Sequence, residues 1–135
     1  MTDPEVRILD EARAREKGQT LFYRALAAEA ESRGEVELAE RLNALHADEQ
    51  HHLSRLTARV LELGAEPVEV KGSPSEVPDS GNWETMARSR EGAEVAWYEA
   101  ALKKPMDPVT RTLLREILES EQHHSRELGG KWMSA

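Results

Sequence analysis

The sequence predicts an all-α fold, a four-helix bundle made of two helical hairpins joined by a long crossover. Three observations carry that expectation. The common residues are Ala, Glu, Leu and Arg, all good helix formers, whereas aromatics are 4% of the chain and β-branched runs are scarce. Apolar residues recur at steps of three and four, the spacing of one helix face. Helix breakers gather at three places rather than being spread along the chain.

Those breakers define the elements in order. Gly34 follows Ala30-Glu31-Ser32-Arg33 and ends a first helix expected over Pro4–Ser32. A second helix is expected over Glu35–Leu63, where Gly64 opens a non-helical stretch containing Pro67, Gly72, Pro74, Pro78 and Gly81. A third is expected over Trp83–Leu102 and a fourth over Pro108–Leu128, with Pro105 and Pro108 bracketing a short turn. Tight joins pair the first helix with the second and the third with the fourth. The link from Gly64 to Asn82 is long, polar and Pro-rich, and is expected to run along the surface. A chain of 135 residues suits one domain over 1–135.

Composition excludes several functions. A formal net charge of −8 argues against nucleic acid as a partner and against an anionic membrane surface, both of which select Lys and Arg. With no cysteine there are no disulfides, thiolate zinc sites or iron–sulfur clusters. No apolar stretch approaches the roughly 20 residues of a membrane span, and Met1 to Asp10 lacks the pattern of a signal peptide. The expectation is a soluble cytoplasmic protein.

The chain repeats itself. Ala47-Asp48-Glu49-Gln50-His51-His52-Leu53 is echoed by Glu119-Ser120-Glu121-Gln122-His123-His124-Ser125. Upstream, Glu16 precedes Phe22-Tyr23 at the same offset at which Glu91 precedes Trp97-Tyr98. Each hairpin therefore reads as one copy of a common unit.

The apolar stripes carry charge where core residues belong. In the second helix Leu38, Leu42 and Leu45 lead to Glu49 and His52 before the stripe resumes at Leu56, Val60 and Leu63, with Leu53 beside it. In the fourth, Leu113, Leu114 and Ile117 lead to Glu121, His124 and Leu128. Leu9 and Ala12 lead to Glu16 in the first, then Thr20, Tyr23 and Ala27, and Ala87 leads to Glu91, Glu94, Tyr98 and Leu102 in the third. Every helix thus sets a carboxylate on its apolar face near mid-length, and no Lys or Arg shares the stripe at that level except near the ends. Burying several carboxylates together is prohibitive unless protons or cations accompany them. Two divalent ions supply four positive charges and convert the repulsion into bridging coordination. Residues three apart share a helix face, so each Glu-x-x-His can serve one metal, and two such motifs with a Glu from each remaining helix form the di-iron or di-manganese carboxylate pattern.

These residues resemble the ferritin-like superfamily and, within it, the rubrerythrin-type di-iron domain, over nearly the whole chain. The resemblance implies Glu16, Glu49, His52, Glu91, Glu121 and His124 as metal ligands, Glu94 as an additional carboxylate, and two iron ions as the cofactor, with manganese as the alternative. It implies a di-iron oxidoreductase that reduces peroxide or reacts with dioxygen. The departure is the absence of a C-terminal rubredoxin domain, since the sequence holds no Cys, so electrons are expected from a separate donor. Two rivals stand beside this: a ferroxidase or iron-handling protein, and a non-catalytic metal-stabilised bundle acting as an interaction module.

Other residues are weighed against plainer roles. Tyr23 and Tyr98 either donate to ligating carboxylates, and so join Glu94 in the catalytic set, or are core aromatics with a distant polar partner. His51 and His123 are expected in solvent, and His46 at the edge of the stripe. Phe22 and Trp97 are expected to pack around the site. Gly18 and Gly92 either admit a close approach or are simply tolerated. Met106, Trp83 and Trp132 fall outside the main stripes, where exposed apolar surface would mark an interface. A homodimer is therefore expected, and light scattering that returns a monomer at micromolar concentration refutes it.

Overall fold

In a computed structural model the structure describes residues 3–71 and 82–128. Four helices account for most of them: α1 Pro4–Ser32, α2 Val36–Glu62, α3 Trp83–Ala101 and α4 Pro108–Glu127. There is no strand among the described residues. The expected boundaries hold to within one residue at each helix end. Gly72, Pro74, Pro78 and Gly81 of the expected crossover, and Trp132, lie outside the described residues.

The chain forms two compact units, Met1–Val77 and Pro78–Ala135. In the first, α1 packs along α2; in the second, α3 packs along α4. Both hairpins begin or restart with the same device. Asp3 caps α1 by accepting from the Glu5 amide at 2.8 Å, and Asp107 caps α4 by accepting from the Val109 amide at 2.8 Å. In each case a proline follows at the first helical position, where its missing N–H costs nothing.

The C-terminal ends of α1 and α2 close in the same way as each other. Glu35 N–H reaches Ala30 O and Gly34 N–H reaches Glu31 O, with Gly34 at φ 75°. Ala65 N–H reaches Val60 O and Gly64 N–H reaches Leu61 O, with Gly64 at φ 80°. These paired bonds satisfy carbonyls that the helix leaves over, and they need a left-handed residue at the turn. At the first turn Arg24 of α1 also donates to Glu31 and to Asn43 of α2. The hydrogen bond from Arg24, followed by that from Asn43, holds the Glu31 carboxyl below its ordinary pKa. The α3–α4 turn is fastened instead by Arg111, which donates to Leu102 O at 2.6 Å and Lys104 O at 2.9 Å.

The stripes predicted from the sequence are the buried faces. Leu9, Ala12, Phe22, Leu26 and Ala27 are buried on α1, and Leu42, Leu45, Leu56 and Val60 on α2. Ala87 and Ala101 are buried on α3, and Leu113, Leu114 and Ile117 on α4, with Leu128 at its C-cap. Leu38, Leu53 and Leu63 are only half-buried, and Ala39 rather than Leu38 is the buried residue in the first turn of α2, while Glu49 and His52 lie on the buried line as expected. Trp83 corrects an expectation: it is buried, at 5% exposure, so it offers no surface for an interface. Met106 is half-buried, whereas Val36, Leu61, Val68, Met86 and Val109 are the exposed large apolar residues.

Gly34 provides a clean test of this turn. A Cβ added there would meet nothing within 4 Å, so the cost of Gly34→Ala comes from the left-handed backbone alone. The expected loss is about 1–2 kcal/mol. Gly34→Asn, which tolerates this conformation, is expected to recover part of it in thermal denaturation followed by circular dichroism.

Candidate metal centre

Six of the sequence-predicted residues form two matching triads, one in each unit. In the first hairpin Glu16 comes from the middle of α1, and Glu49 and His52 share one face of α2. His52 Nδ1 lies 3.3 Å from Glu16 Oε1 and 3.2 Å from Glu49 Oε1. In the second hairpin Glu91 comes from α3, and Glu121 and His124 from α4. His124 Nδ1 lies 3.5 Å from Glu91 Oε1 and 3.4 Å from Glu121 Oε1. All six side chains are buried, and the four glutamates are fully so, at 0% exposure.

The donor set suits a metal ion. Carboxylate oxygen and imidazole nitrogen are the ligands that iron, manganese and zinc share. An ion with bonds of about 2.1 Å has donor–donor edges of about 3.0 Å when octahedral and about 3.4 Å when tetrahedral. The separations of 3.2–3.5 Å in both triads match those edges. Ionised carboxylates only accept, and a neutral imidazole with its lone pair at Nδ1 accepts as well. Three acceptors converging in a buried place require a cation or protons among them.

Glu94 is buried on α3 one turn beyond Glu91, at 7% exposure. Its counterpart in the first hairpin is Gln19, also buried. Tyr23 and Tyr98 are fully buried, each resting edge-on against the aromatic before it. The Phe22–Tyr23 ring centroids are 5.3 Å apart and those of Trp97–Tyr98 5.0 Å. Phe22 is buried and Trp97 half-buried. His51 and His123 are exposed, as expected, and His123 reaches Glu127 at 3.1 Å. A Cβ at Gly92 would meet nothing within 4 Å, so close approach does not explain that glycine.

Sequence reasoning missed Arg13. This arginine is buried, at 7% exposure, one turn before Glu16, although no cation was expected at that level. Its guanidinium is directed to Asp10 Oδ1 at 2.8 Å, Thr57 Oγ1 at 2.9 Å and Val68 O at 2.9 Å. It ties the segment after α2 back onto the hairpin. The signal was the (i, i+3) pair Asp10–Arg13, which is indistinguishable in sequence from an exposed helix pair.

The rubrerythrin family model matches residues 7–130. The chain belongs to the rubrerythrin family. No curated protein matches it. Among solved structures this rubrerythrin-family chain is similar to the bacterioferritin BfrA of Mycobacterium tuberculosis, in two structures, each at 21% identity and TM-score 0.87. These cover 96% of this chain and 84% and 83% of theirs. It is also similar to the bacterioferritin of Desulfovibrio desulfuricans, at 26% identity and TM-score 0.87, covering 93% of this chain and 75% of that one. That structure is described as showing a diiron site in different catalytic states. The fold is accordingly the ferritin-like four-helix bundle, as the sequence predicted. No helix among the described residues is long and apolar enough to cross a membrane.

The geometry makes a prediction about metal. Adding ferrous or cobaltous ion to metal-free protein is expected to raise its melting temperature, by mass action amounting to about 2.7 kcal/mol at a hundredfold excess over Kd. Glu49→Gln combined with Glu121→Gln is expected to shrink that rise while leaving the metal-free fold intact, as read by calorimetry. Equal melting temperatures with and without metal contradict the centre.

Proposed function

We propose that the two triads act together on a pair of iron ions, and that the protein is a cytoplasmic di-iron carboxylate oxidoreductase that reduces peroxide or reacts with dioxygen. The observation that carries this is the repetition of one buried Glu plus Glu-x-x-His triad in both hairpins of a rubrerythrin-family chain. The diiron site named for the Desulfovibrio desulfuricans bacterioferritin supports the choice of metal. Manganese suits the same donors. Bound iron would supply the two electrons that peroxide reduction consumes.

The chain's own residues have distinct parts in this proposal. Glu16, Glu49 and His52 would hold one ion and Glu91, Glu121 and His124 the other, with the carboxylates offsetting the positive charge. Phe22 and Trp97 would pack around the site and restrict water. Tyr23 and Tyr98 would donate phenolic hydrogens to the carboxylates once metal is bound. Glu94 adds negative charge on one side only, since Gln19 is neutral at the matching place. Extra negative charge favours the more highly charged oxidised pair over the reduced pair. Electrons come from a separate donor, and the assembly is a homodimer.

A second function is favoured by a specific observation: the solved structures reported above are bacterioferritins. A ferroxidase uses the same residues, but iron passes through as substrate. Metal analysis of anaerobically purified protein, followed by rapid mixing with peroxide and with dioxygen, separates the two. Preferential reaction with peroxide at two irons per chain supports the first. Accumulation of many irons per chain supports the second, and absence of any redox response leaves a metal-stabilised interaction module.

Glu94 gives the sharper prediction. Glu94→Gln removes a charge while keeping the shape, and is expected to retain metal binding but slow peroxide turnover by about tenfold or more, the effect of roughly 1.4 kcal/mol on a barrier. Wild-type turnover in that variant removes Glu94 from the mechanism.

A further inference from the structure

The two hairpins repeat each other, but they depart from the repeat in a correlated way one turn from the triads. In the first, Thr20 stands one turn after Glu16 on α1, and His46 stands one turn before Glu49 on α2. At the matching places the second hairpin has Val95, after Glu91, and Leu118, before Glu121. Both polar residues of the first copy are apolar in the second. His46, Val95 and Leu118 are all half-buried, and Thr20 is buried.

Thr20 and His46 are joined to each other and to Glu16. Thr20 Oγ1 donates to Glu16 O at 2.8 Å. His46 Nδ1 lies 3.1 Å from Thr20 O. A carbonyl oxygen only accepts, so Nδ1 carries the hydrogen and donates across from α2 to α1. The Thr20 hydroxyl bond stays within α1, whereas the His46 bond crosses from α2 to the Thr20 carbonyl of α1. The crossing bond fixes how far α1 is shifted along α2, about one helical turn from where Glu16 meets Glu49 and His52. Packing of Val95 and Leu118 has no such direction, because dispersion contacts tolerate sliding that a hydrogen bond does not.

We propose that His46 and Thr20 are positioning residues for Glu16, and that they make the metal position of the first hairpin the more pre-organised, and so the tighter, of the two. This rests on the metal-binding function proposed above. A ligand set held in its bound geometry before the ion arrives loses less freedom on binding, and that difference appears as affinity.

The repeat supplies its own test, since the second hairpin already folds with Val and Leu at these places. Anaerobic titration of metal-free protein with Co²⁺, followed by its visible absorption, is expected to show two binding steps of unequal affinity. Thr20→Val and His46→Leu are each expected to weaken the tighter step by about tenfold and to leave the weaker one unchanged. Thr20→Val leaves the carbonyl to which His46 donates, so the losses in the double variant are expected to add. His46→Gln, whose amide can still donate to Thr20 O, is expected to restore much of the affinity, which general loss of packing would not allow. Circular dichroism of each metal-free variant checks that it is folded, and His46→Gln against His46→Leu keeps the comparison open if Thr20→Val does not fold. Two equal steps in the wild type, or two unequal steps that His46→Leu leaves unchanged, overturn the positioning role alone. No uptake of Co²⁺ by the wild type overturns the metal-binding function on which it rests.

Discussion

Like-charged carboxylates on the apolar faces of helices are the constraint from which the rest of this structure follows. Glu16, Glu49, Glu91, Glu94 and Glu121 occupy places where the periodicity calls for Leu or Ala, and all five are buried. Within each hairpin, packing alone does not make such carboxylates stable, because each ionised one loses several kcal/mol of solvation and repels its neighbour. Cations or protons must accompany them, and the histidines at 3.2–3.5 Å from the carboxylates add a nitrogen donor to each group. The long helices serve the same end. With 29 residues, α1 can set Glu16 far from either frayed terminus and still have apolar turns on both sides.

Much of this was legible in the sequence, for identifiable reasons. Helix ends are marked by residues with one local role each: Asp-Pro at residues 3–4 and 107–108, and glycines at 34 and 64 whose positive φ no other residue adopts easily. The triads were legible because a Glu or His that interrupts a leucine stripe stands out against the period, and because the interruption occurs twice. What stayed hidden depends on partners distant in sequence. Arg13 reaches Thr57 and the backbone of Val68, and nothing near residue 13 announces either. Trp83 begins its helix and seemed peripheral, yet it is buried. His46 was visible as a residue near the stripe, but its acceptor is a backbone carbonyl, which no sequence pattern identifies.

The repetition is informative mainly where it fails. The six ligand candidates, the aromatic pairs and the His-His dipeptides agree between the hairpins, as they must if both copies meet the same kind of ion. The turns differ freely: one is closed by a glycine and the other by Arg111 reaching two carbonyls. Turn chemistry far from the carboxylates has only to return the chain, so either solution serves. Differences one turn from the triads are another matter, because a shift of a few tenths of an ångström there moves a ligand oxygen by the same amount.

Three such differences sort by hairpin. The first copy has Gln19, Thr20 and His46, all neutral or hydrogen-bonding, where the second has Glu94, Val95 and Leu118. On the proposed function this is a division of labour. A metal position whose surroundings are tied by directional hydrogen bonds holds its geometry when the charge of the ion changes. A position flanked by Val95, Leu118 and the additional carboxylate of Glu94 would have more freedom to respond to that change. Two flexible positions would bind iron loosely in every state, and two rigid ones would resist the change of charge that oxidation demands. On the proposed function, one of each would let the centre keep its ions while their charge changes, which an oxidoreductase needs and a site that merely passes iron onward does not.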